Sequence, residues 1–222
     1  MNLALFDLDG TLIQGDSDHA FGEFIIGLGW ADAGEFRHRN NAFYEDYVAG
    51  RLDIDAYVDF ATAPWRDRPA ADLESASKRF IDSIFKPMLT APAVDLIQQH
   101  QRAGDLMAIV TATNDFITGP IARLLGIDAL IATQLERDSE GRITGKIDGI
   151  AAFREGKVHR VQQWLAARHL QLADFERTYF YSDSTNDLPL LESVSDPVAT
   201  NPGTALERIA VERGWPVLKL FT

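Results

Sequence analysis

The sequence predicts an α/β protein whose mostly parallel, doubly wound sheet is interrupted by an all-helical segment. Two patterns indicate this fold class. Short apolar runs alternate with helical patterns at the N-terminus and again from residue 91 onward, whereas residues 17–85 show helical periodicity alone. Alternating strands and helices are typical of a parallel sheet covered by helices on both faces.

The first strand is predicted at residues 2–8, where an apolar run leads into a loop at Gly10. Between residues 17 and 85, apolar side chains recur at intervals of three and four, which is the helical repeat. Glycines and prolines divide this stretch into four predicted helices. We therefore expect a helical domain at 16–85 inserted into a Rossmann-like core formed by 1–15 and 86–222.

The remainder of the core alternates between the two kinds of element. Strands are predicted at 105–111, 129–133, 178–182, 197–199 and 216–220, with a β-hairpin at 135–147. Helices are predicted at 92–102, 115–125, 153–169, 186–192 and 204–213.

Composition narrows the classes of function. The chain has 222 residues, of which 46% are hydrophobic and 24% charged, as in an ordinary folded protein. Its formal net charge of −12 disfavours non-specific binding to nucleic acid and docking on anionic membranes. The absence of cysteine excludes disulfides, zinc–thiolate sites and cysteine nucleophiles. With no apolar run of membrane-spanning length and no basic signal-peptide segment, a cytoplasmic location is expected.

The strongest local signal is the segment Asp7-Leu8-Asp9-Gly10-Thr11, directly after the first predicted strand. In open α/β sheets, ligands bind beyond the carboxyl ends of the strands. A turn at glycine can aim both carboxylates at one point. A calcium-binding EF-hand does not fit, because the glycine is misplaced and the acid at the twelfth position is missing. The segment therefore predicts a ligand site at this edge of the sheet.

Three further segments lie at other strand ends or helix starts. Thr111 ends a buried strand, Lys157 lies near the start of a long helix, and residues 183–187 (DSTND) follow another buried strand. Each has an ordinary interpretation alone: Thr111 as a strand-end hydroxyl, Lys157 as a surface charge, and Asp187 as a helix cap or a partner of Lys157. Together, in this order, they favour a site for phosphoryl transfer.

In these segments the chain resembles the haloacid-dehalogenase-like phosphohydrolases. The four matching motifs are Asp7-x-Asp9-Gly10-Thr11, Thr111, Lys157 and Asp183-Ser184-x-Asn186-Asp187. The helical insert lies between the first two motifs, like the cap of the phosphoserine-phosphatase-like branch. Asn201-Pro202, followed by Gly214-Trp215-Pro216, resembles a bacterial subgroup in which some members hydrolyse histidinol phosphate. One departure is Ser184, where phosphoserine phosphatases usually have glycine.

The resemblance implies a magnesium-dependent phosphomonoesterase. Asp7 would be the nucleophile that forms an aspartyl-phosphate. Asp9 would protonate the leaving oxygen and then take a proton from the attacking water. Mg²⁺ would be held by Asp7, by the main-chain carbonyl of Asp9 and by Asp183.

The same resemblance implies roles for five other residues. Thr111 and Lys157 would bind the phosphate oxygens as charge shifts in the transition state. Thr11, Asn186 and Asp187 would lie around these groups and orient them.

The substrate is less closely defined. Asp16 lies where phosphoserine phosphatases have an acid that meets the substrate ammonium group, but it could equally cap the following helix. Arg37, Arg39 and Arg51 are candidates for binding a substrate carboxylate. If no arginine does so, an amino-alcohol phosphate such as histidinol phosphate fits better than phosphoserine.

Two other functions stay open at this stage. One is phosphoryl transfer to an alcohol acceptor through the same intermediate, and the other is a catalytically silent binding module. The intact Asp7, Asp9, Lys157 and Asp183 argue against the silent module. The expected partner is a small phosphorylated metabolite, with no nucleic acid and no membrane, and the sequence does not indicate the oligomeric state.

Overall fold

A computed structural model describes residues 1–221. Within this range the chain forms strands β1 (Leu3–Phe6), β2 (Leu106–Asn114), β3 (Ala129–Thr133), β4 (Leu135–Arg137), β5 (Ile143–Ile147), β6 (Thr178–Ser182), β7 (Asp196–Thr200) and β8 (Val217–Leu218). Helices are α1 (Ser17–Gly27), α2 (Ala33–Val48), α3 (Ile54–Thr62), α4 (Ala70–Phe80), α5 (Ala91–Ala103), α6 (Asp115–Leu125), α7 (Glu155–Ala166), α8 (Leu188–Leu191) and α9 (Thr204–Arg213). None of the helices in residues 1–221 combines the length and apolar character needed to cross a bilayer.

Six strands form one sheet in the order β3-β2-β1-β6-β7-β8. Every neighbouring pair in it is parallel. The short strands β4 and β5 pair separately as the predicted antiparallel hairpin. The strand order reverses at β1, which lies between β2 and β6, and such a switch point opens a crevice at the carboxyl ends of the strands. The prediction of a doubly wound α/β fold is confirmed.

The central strand shows why helices cover both faces of the sheet. Leu3, Ala4, Leu5 and Phe6 are all fully buried. Leu3 and Leu5 pack in the apolar layer that contains residues of α7 and α9, whereas Ala4 and Phe6 pack in the layer on the opposite face. A strand that is buried on both faces reads as a continuous apolar run, which is the pattern of residues 3–6.

Between β1 and the core helix α5 the described chain forms helices and no strand. Helices α1, α2 and α3 each begin after an aspartate whose carboxylate accepts a hydrogen bond from a main-chain N–H of the first turn. After α4 the chain continues through a π-helical turn at Ile81–Phe85 and a 3₁₀ turn at Lys86–Met88. The four helices match the four expected, and the domain boundaries at residues 15 and 86 stay a prediction.

Aromatic side chains join the helical insert to the core. Phe21 of α1 packs edge-on against Trp65 and Phe80 of the insert. Trp65 in turn stacks on Phe116 of α6, with ring centres 4.5 Å apart. The insert and this side of the sheet therefore share one apolar cluster.

Two core elements differ from the prediction in ways that affect the site. The second core strand, predicted at 105–111, continues to Asn114 because a shift of register against β3 between Thr111 and Asn114 lets the chain remain extended. The helix predicted at 153–169 begins at Glu155 and ends at Ala166. It begins later because Arg154 has a φ of +54°, which is not a helical conformation.

Candidate active site

The loop after β1 places its acids at the reversal point of the sheet. The main-chain N–H of Asp7 donates to the carbonyl of Tyr181 on β6, 2.9 Å away. Gly10 has a φ of +72°, and a Cβ at this position would overlap the Asp183 carboxylate. Only glycine allows both this conformation and this close approach. The loop therefore brings the first motif directly against the fourth.

A buried lysine connects three of the motifs. The Lys157 Nζ donates to Asp7 Oδ1 at 2.8 Å and to Asp187 Oδ2 at 2.7 Å. Asp187 also accepts from the Ser182 hydroxyl at 2.7 Å. The lysine side chain is 3% exposed. Lys157 is thus no surface charge. Of the two interpretations of Asp187, a helix cap or a partner of Lys157, the structure shows the contact with Lys157.

The charged groups in this cluster shift one another's pKa values. Burial by itself would lower the pKa of Lys157, but the carboxylates of Asp187 and Asp7 outweigh it and raise that pKa, so the ammonium stays charged. Burial raises the pKa of Asp7 to about 7, although Lys157 works in the opposite direction. One ammonium does not fully compensate the buried carboxylates around it.

Asp183 lies on the other side of Asp7. The Thr11 hydroxyl is 3.3 Å from Asp7 Oδ2 and 3.2 Å from Asp183 Oδ1, and its single hydrogen can be donated to only one of them at a time. Burial raises the pKa of Asp183 to about 8, and the neighbouring Asp7 and Asp187 add to this rise. The site has an excess of negative charge at this point.

The donor chemistry here fits a hard divalent cation. Carboxylate, hydroxyl and carbonyl oxygens are the ligands that Mg²⁺ takes in proteins. Within residues 1–221, no three His, Cys, Asp or Glu side chains form a metal site by themselves. A cation between Asp7 and Asp183 would therefore need the main-chain oxygen of Asp9, water or a substrate oxygen to complete its shell.

Asp9 makes different contacts from Asp7. Its Oδ1 accepts from the main-chain N–H of Ser17 at 2.6 Å, and its Oδ2 accepts from the Thr113 hydroxyl at 2.9 Å. Burial raises its pKa to about 7, and the nearby Asp16 adds to the rise. Asp9 therefore faces the start of α1 and the end of β2, and it can hold a proton near neutral pH.

The irregular end of β2 contributes two threonines. Thr111 is almost fully buried, and its hydroxyl oxygen accepts from the main-chain N–H of Thr113 at 3.2 Å. Both residues line the same cavity as Asp7 and Asp9. Sequence reasoning found Thr111 but missed Thr113. The signal was present, since a second hydroxyl follows two residues after the first.

The cavity extends from Asp7 towards the helical insert. Its lining includes Asp16 and Asp18 from the start of α1, with Tyr47 and Tyr57 from α2 and α3. No lysine or arginine is among the described residues that line it.

The arginines considered as carboxylate ligands lie elsewhere. Arg37 pairs with Glu23, and Arg51 pairs with Asp46. Arg39 packs over the ring of Phe60. Each of the three is engaged away from the cavity.

The position of Asp16 agrees with both interpretations, as the cap of α1 and as an acid that meets the substrate. Its carboxylate accepts from the main-chain N–H of His19 at 2.8 Å as the cap of α1, and it also lines the cavity. Asp18, which sequence reasoning missed, lies beside it next to the Tyr57 hydroxyl. Burial raises the pKa of Asp16, and it raises that of Asp18 to about 8. An acid repeated two residues after Asp16 was the available signal.

Two asparagines connect the site to distant parts of the chain. The Asn186 amide donates to the carbonyl of Tyr47 in the insert at 3.1 Å. The Asn201 amide donates to the carbonyls of Gly10 and Thr11, at 3.1 Å each, and its Oδ1 accepts from the N–H of Leu220 at 2.6 Å. Asn201 thus fastens the first-motif loop to the end of the described chain. Sequence reasoning noted Asn201 only as a mark of resemblance.

The fold and these motifs define a hydrolase. The sequence profile of the haloacid dehalogenase-like hydrolases matches residues 4–192, and the chain belongs to this family. The predictions of an enzyme and of this family are confirmed.

Individual relatives cover nearly the whole chain. It is 47% identical over 217 residues to a histidinol-phosphatase from Neisseria meningitidis serogroup C (strain 8013), covering 98% of each sequence. It is also 47% identical to a protein of unknown function from Bordetella pertussis Tohama I, with a TM-score of 0.93 over 99% of each chain. A substrate-bound phosphoserine phosphatase complex shares the fold at 19% identity, with a TM-score of 0.68 over 97% of this chain and 91% of that one.

Proposed function

We propose that the chain is a magnesium-dependent phosphomonoester hydrolase that acts on a small phosphorylated metabolite through an aspartyl-phosphate on Asp7. The observation that carries the proposal is the pairing of Asp7 with the buried Lys157 at the end of the central strand, with the second carboxyl group of Asp9 in the same cavity. A nucleophile held by a fixed cation beside a separate acid is the arrangement that two-step phosphoryl transfer requires.

In the first step a carboxylate oxygen of Asp7 forms a bond to phosphorus, while the bond from phosphorus to the leaving oxygen breaks. Lys157 orients Asp7 and is itself held by Asp187. Asp9 donates its proton to the leaving oxygen. In the second step Asp9 takes a proton from a water molecule, which attacks phosphorus and releases phosphate from Asp7.

The phosphoryl oxygens need local positive charge, because the net charge of −12 repels a phosphate dianion. Mg²⁺ held by Asp7, Asp183 and the Asp9 carbonyl would neutralise part of that dianion. The third N–H of Lys157 and the Thr111 hydroxyl donate to the remaining oxygens. We further propose that residues 16–85 act as a cap that excludes water from the site.

For the leaving group we propose a cationic amino alcohol without a carboxylate, as in histidinol phosphate. Asp16 and Asp18 line this end of the cavity, and no lysine or arginine among its described lining residues would receive a carboxylate. The relative named histidinol-phosphatase, at 47% identity, supports this choice over phosphoserine.

The test compares histidinol phosphate, phosphoserine and p-nitrophenyl phosphate, each with Mg²⁺ and with EDTA. We expect Mg²⁺-dependent release of phosphate, fastest from histidinol phosphate. Asp18→Asn should raise KM for histidinol phosphate. KM for p-nitrophenyl phosphate, whose leaving group carries no positive charge, should stay nearly constant. Faster turnover of phosphoserine would contradict the leaving-group assignment. A new phosphoester formed on adding alcohols would indicate a transferase, and no turnover at all would favour the silent binding module.

A further inference from the structure

Tyr47, in the last turn of α2, is positioned by the core although it belongs to the insert. Its main-chain carbonyl accepts from the Asn186 amide at 3.1 Å. Its ring centre lies 5.9 Å from that of Phe153, which precedes α7. The side chain lines the same cavity as Asp7 and Thr111. Two core contacts therefore hold this tyrosine at the phosphoryl end of the cavity.

A second tyrosine from the insert lines the same cavity but has different charged neighbours. Burial raises the pKa of Tyr47, the carboxylates of Asp7, Asp187 and Asp183 add to the rise, and Lys157 works in the opposite direction. Burial also raises the pKa of Tyr57, and there the carboxylates of Asp18, Asp16 and Asp9 add to the rise. Tyr47 thus lies beside Asn186, next in the chain to the lysine partner Asp187, whereas Tyr57 lies beside Asp18 at the other end of the cavity.

The phenol at Tyr47 is a hydrogen-bond donor at working pH. A tyrosine hydroxyl has an ordinary pKa of about 10, so it keeps its proton at neutral pH. The core has few donors left for a phosphoryl group, because Lys157 already uses two of its three N–H bonds on Asp7 and Asp187. Each phosphoryl oxygen can accept more than one hydrogen bond, so a donor from the insert would add to those of Lys157 and Thr111.

On the function proposed above, we propose that Tyr47 is a further catalytic residue whose hydroxyl donates a hydrogen bond to a non-bridging oxygen of the phosphoryl group at Asp7. The insert thereby contributes to the chemistry as well as covering the site. The Asn186 amide holds the main chain at Tyr47, so Asn186 acts as a positioning residue for Tyr47.

The test is Tyr47→Phe, which removes the hydroxyl and keeps the ring and the main-chain carbonyl. Loss of one preorganised donor to a transition-state oxygen should lower kcat/KM by about 100- to 1,000-fold. The loss should be equal for histidinol phosphate and p-nitrophenyl phosphate, because the phosphoryl group is common to both. Affinity for orthovanadate with Mg²⁺, measured by calorimetry, should fall as well. Tyr179→Phe is the matched control, since Tyr179 lies on β6 outside the cavity lining.

Several outcomes would overturn this role. Wild-type kcat/KM and vanadate affinity in Tyr47→Phe would do so, as would a loss confined to histidinol phosphate, which would place the hydroxyl at the leaving group. The vanadate measurement separates this proposal from the proposed function. If wild-type protein binds vanadate and Tyr47→Phe binds it equally, Tyr47 has no such role. If wild-type protein neither hydrolyses phosphate esters nor binds vanadate, both proposals fail.

Discussion

The two ends of the cavity differ in whether the protein itself supplies a positive charge to pair with their acids. At the core end, the lining residue Asp7 is paired with Lys157, which is buried between Asp7 and Asp187, so the counter-charge is part of the protein. At the insert end, Asp16 and Asp18 are gathered with no lysine or arginine among the described lining residues. A site that contains its own counter-charge is organised before the substrate arrives. A site without one needs a ligand that supplies it, so on the proposed function the core end would carry out the reaction and the insert end would select the substrate.

Changing the proposed nucleophile tests the core end with the largest expected effect. Asp7→Asn keeps the shape of the side chain but removes the attacking carboxylate, so turnover should fall by at least about 100-fold, equivalent to roughly 2.7 kcal/mol of barrier. Phosphate release measures the loss. Thermal unfolding serves as the control, because Lys157 keeps its bond to Asp187. Activity above about 1% of wild type would argue strongly against Asp7 as nucleophile.

Removing the buried cation should also cost stability. Lys157→Met leaves Asp7 and Asp187 buried without their partner, and breaking such a pair typically costs about 3–5 kcal/mol. Urea unfolding measures the free energy of unfolding. The matched control is Lys78→Met, whose exposed ion pair with Asp82 should have no measurable effect. Equal stability of the two variants would contradict the structural role of Lys157.

Much of the core end could be predicted from the sequence, because its residues either are neighbours in the chain or lie at the ends of predicted strands and helices. Asp7, Asp9 and Gly10 are close together in the chain, and parallel strands bring Thr111 and Asp183 to the same edge of the sheet, where the start of α7 adds Lys157. The structure brings these residues together as expected, while their chemical roles stay proposals.

The residues that sequence reasoning missed depend on tertiary detail. Thr113 reaches Asp9 because β2 shifts register, which no local pattern indicated. Asn201 reaches Gly10 only because the end of the described chain returns to the first-motif loop. Tyr47 lines the same cavity as Asp7 because of how α2 packs on the core, and helical periodicity does not specify that packing.

A smaller effect is expected from changing Asn201, which holds the first-motif loop at the core end. It has a φ of +46°, so Asn201→Gly removes the amide without straining the backbone. The variant loses the bonds to the Gly10 and Thr11 carbonyls, and we expect about 1–3 kcal/mol less stability. We also expect a several-fold lower kcat with little change in KM, because the loop that holds Asp7 is less firmly fixed. A change in KM alone would indicate that Asn201 acts on substrate binding instead.

The smallest effect is expected at the insert's arginines. Arg37 is paired with Glu23 on the exposed surface, away from the cavity, and surface ion pairs contribute little. Arg37→Gln should therefore leave the melting temperature and the KM for both histidinol phosphate and phosphoserine unchanged. Steady-state kinetics with the two substrates measures this. A selective rise in KM for phosphoserine would mean that Arg37 meets the substrate carboxylate when the insert closes, and the leaving-group end would then select a zwitterion rather than a simple cation.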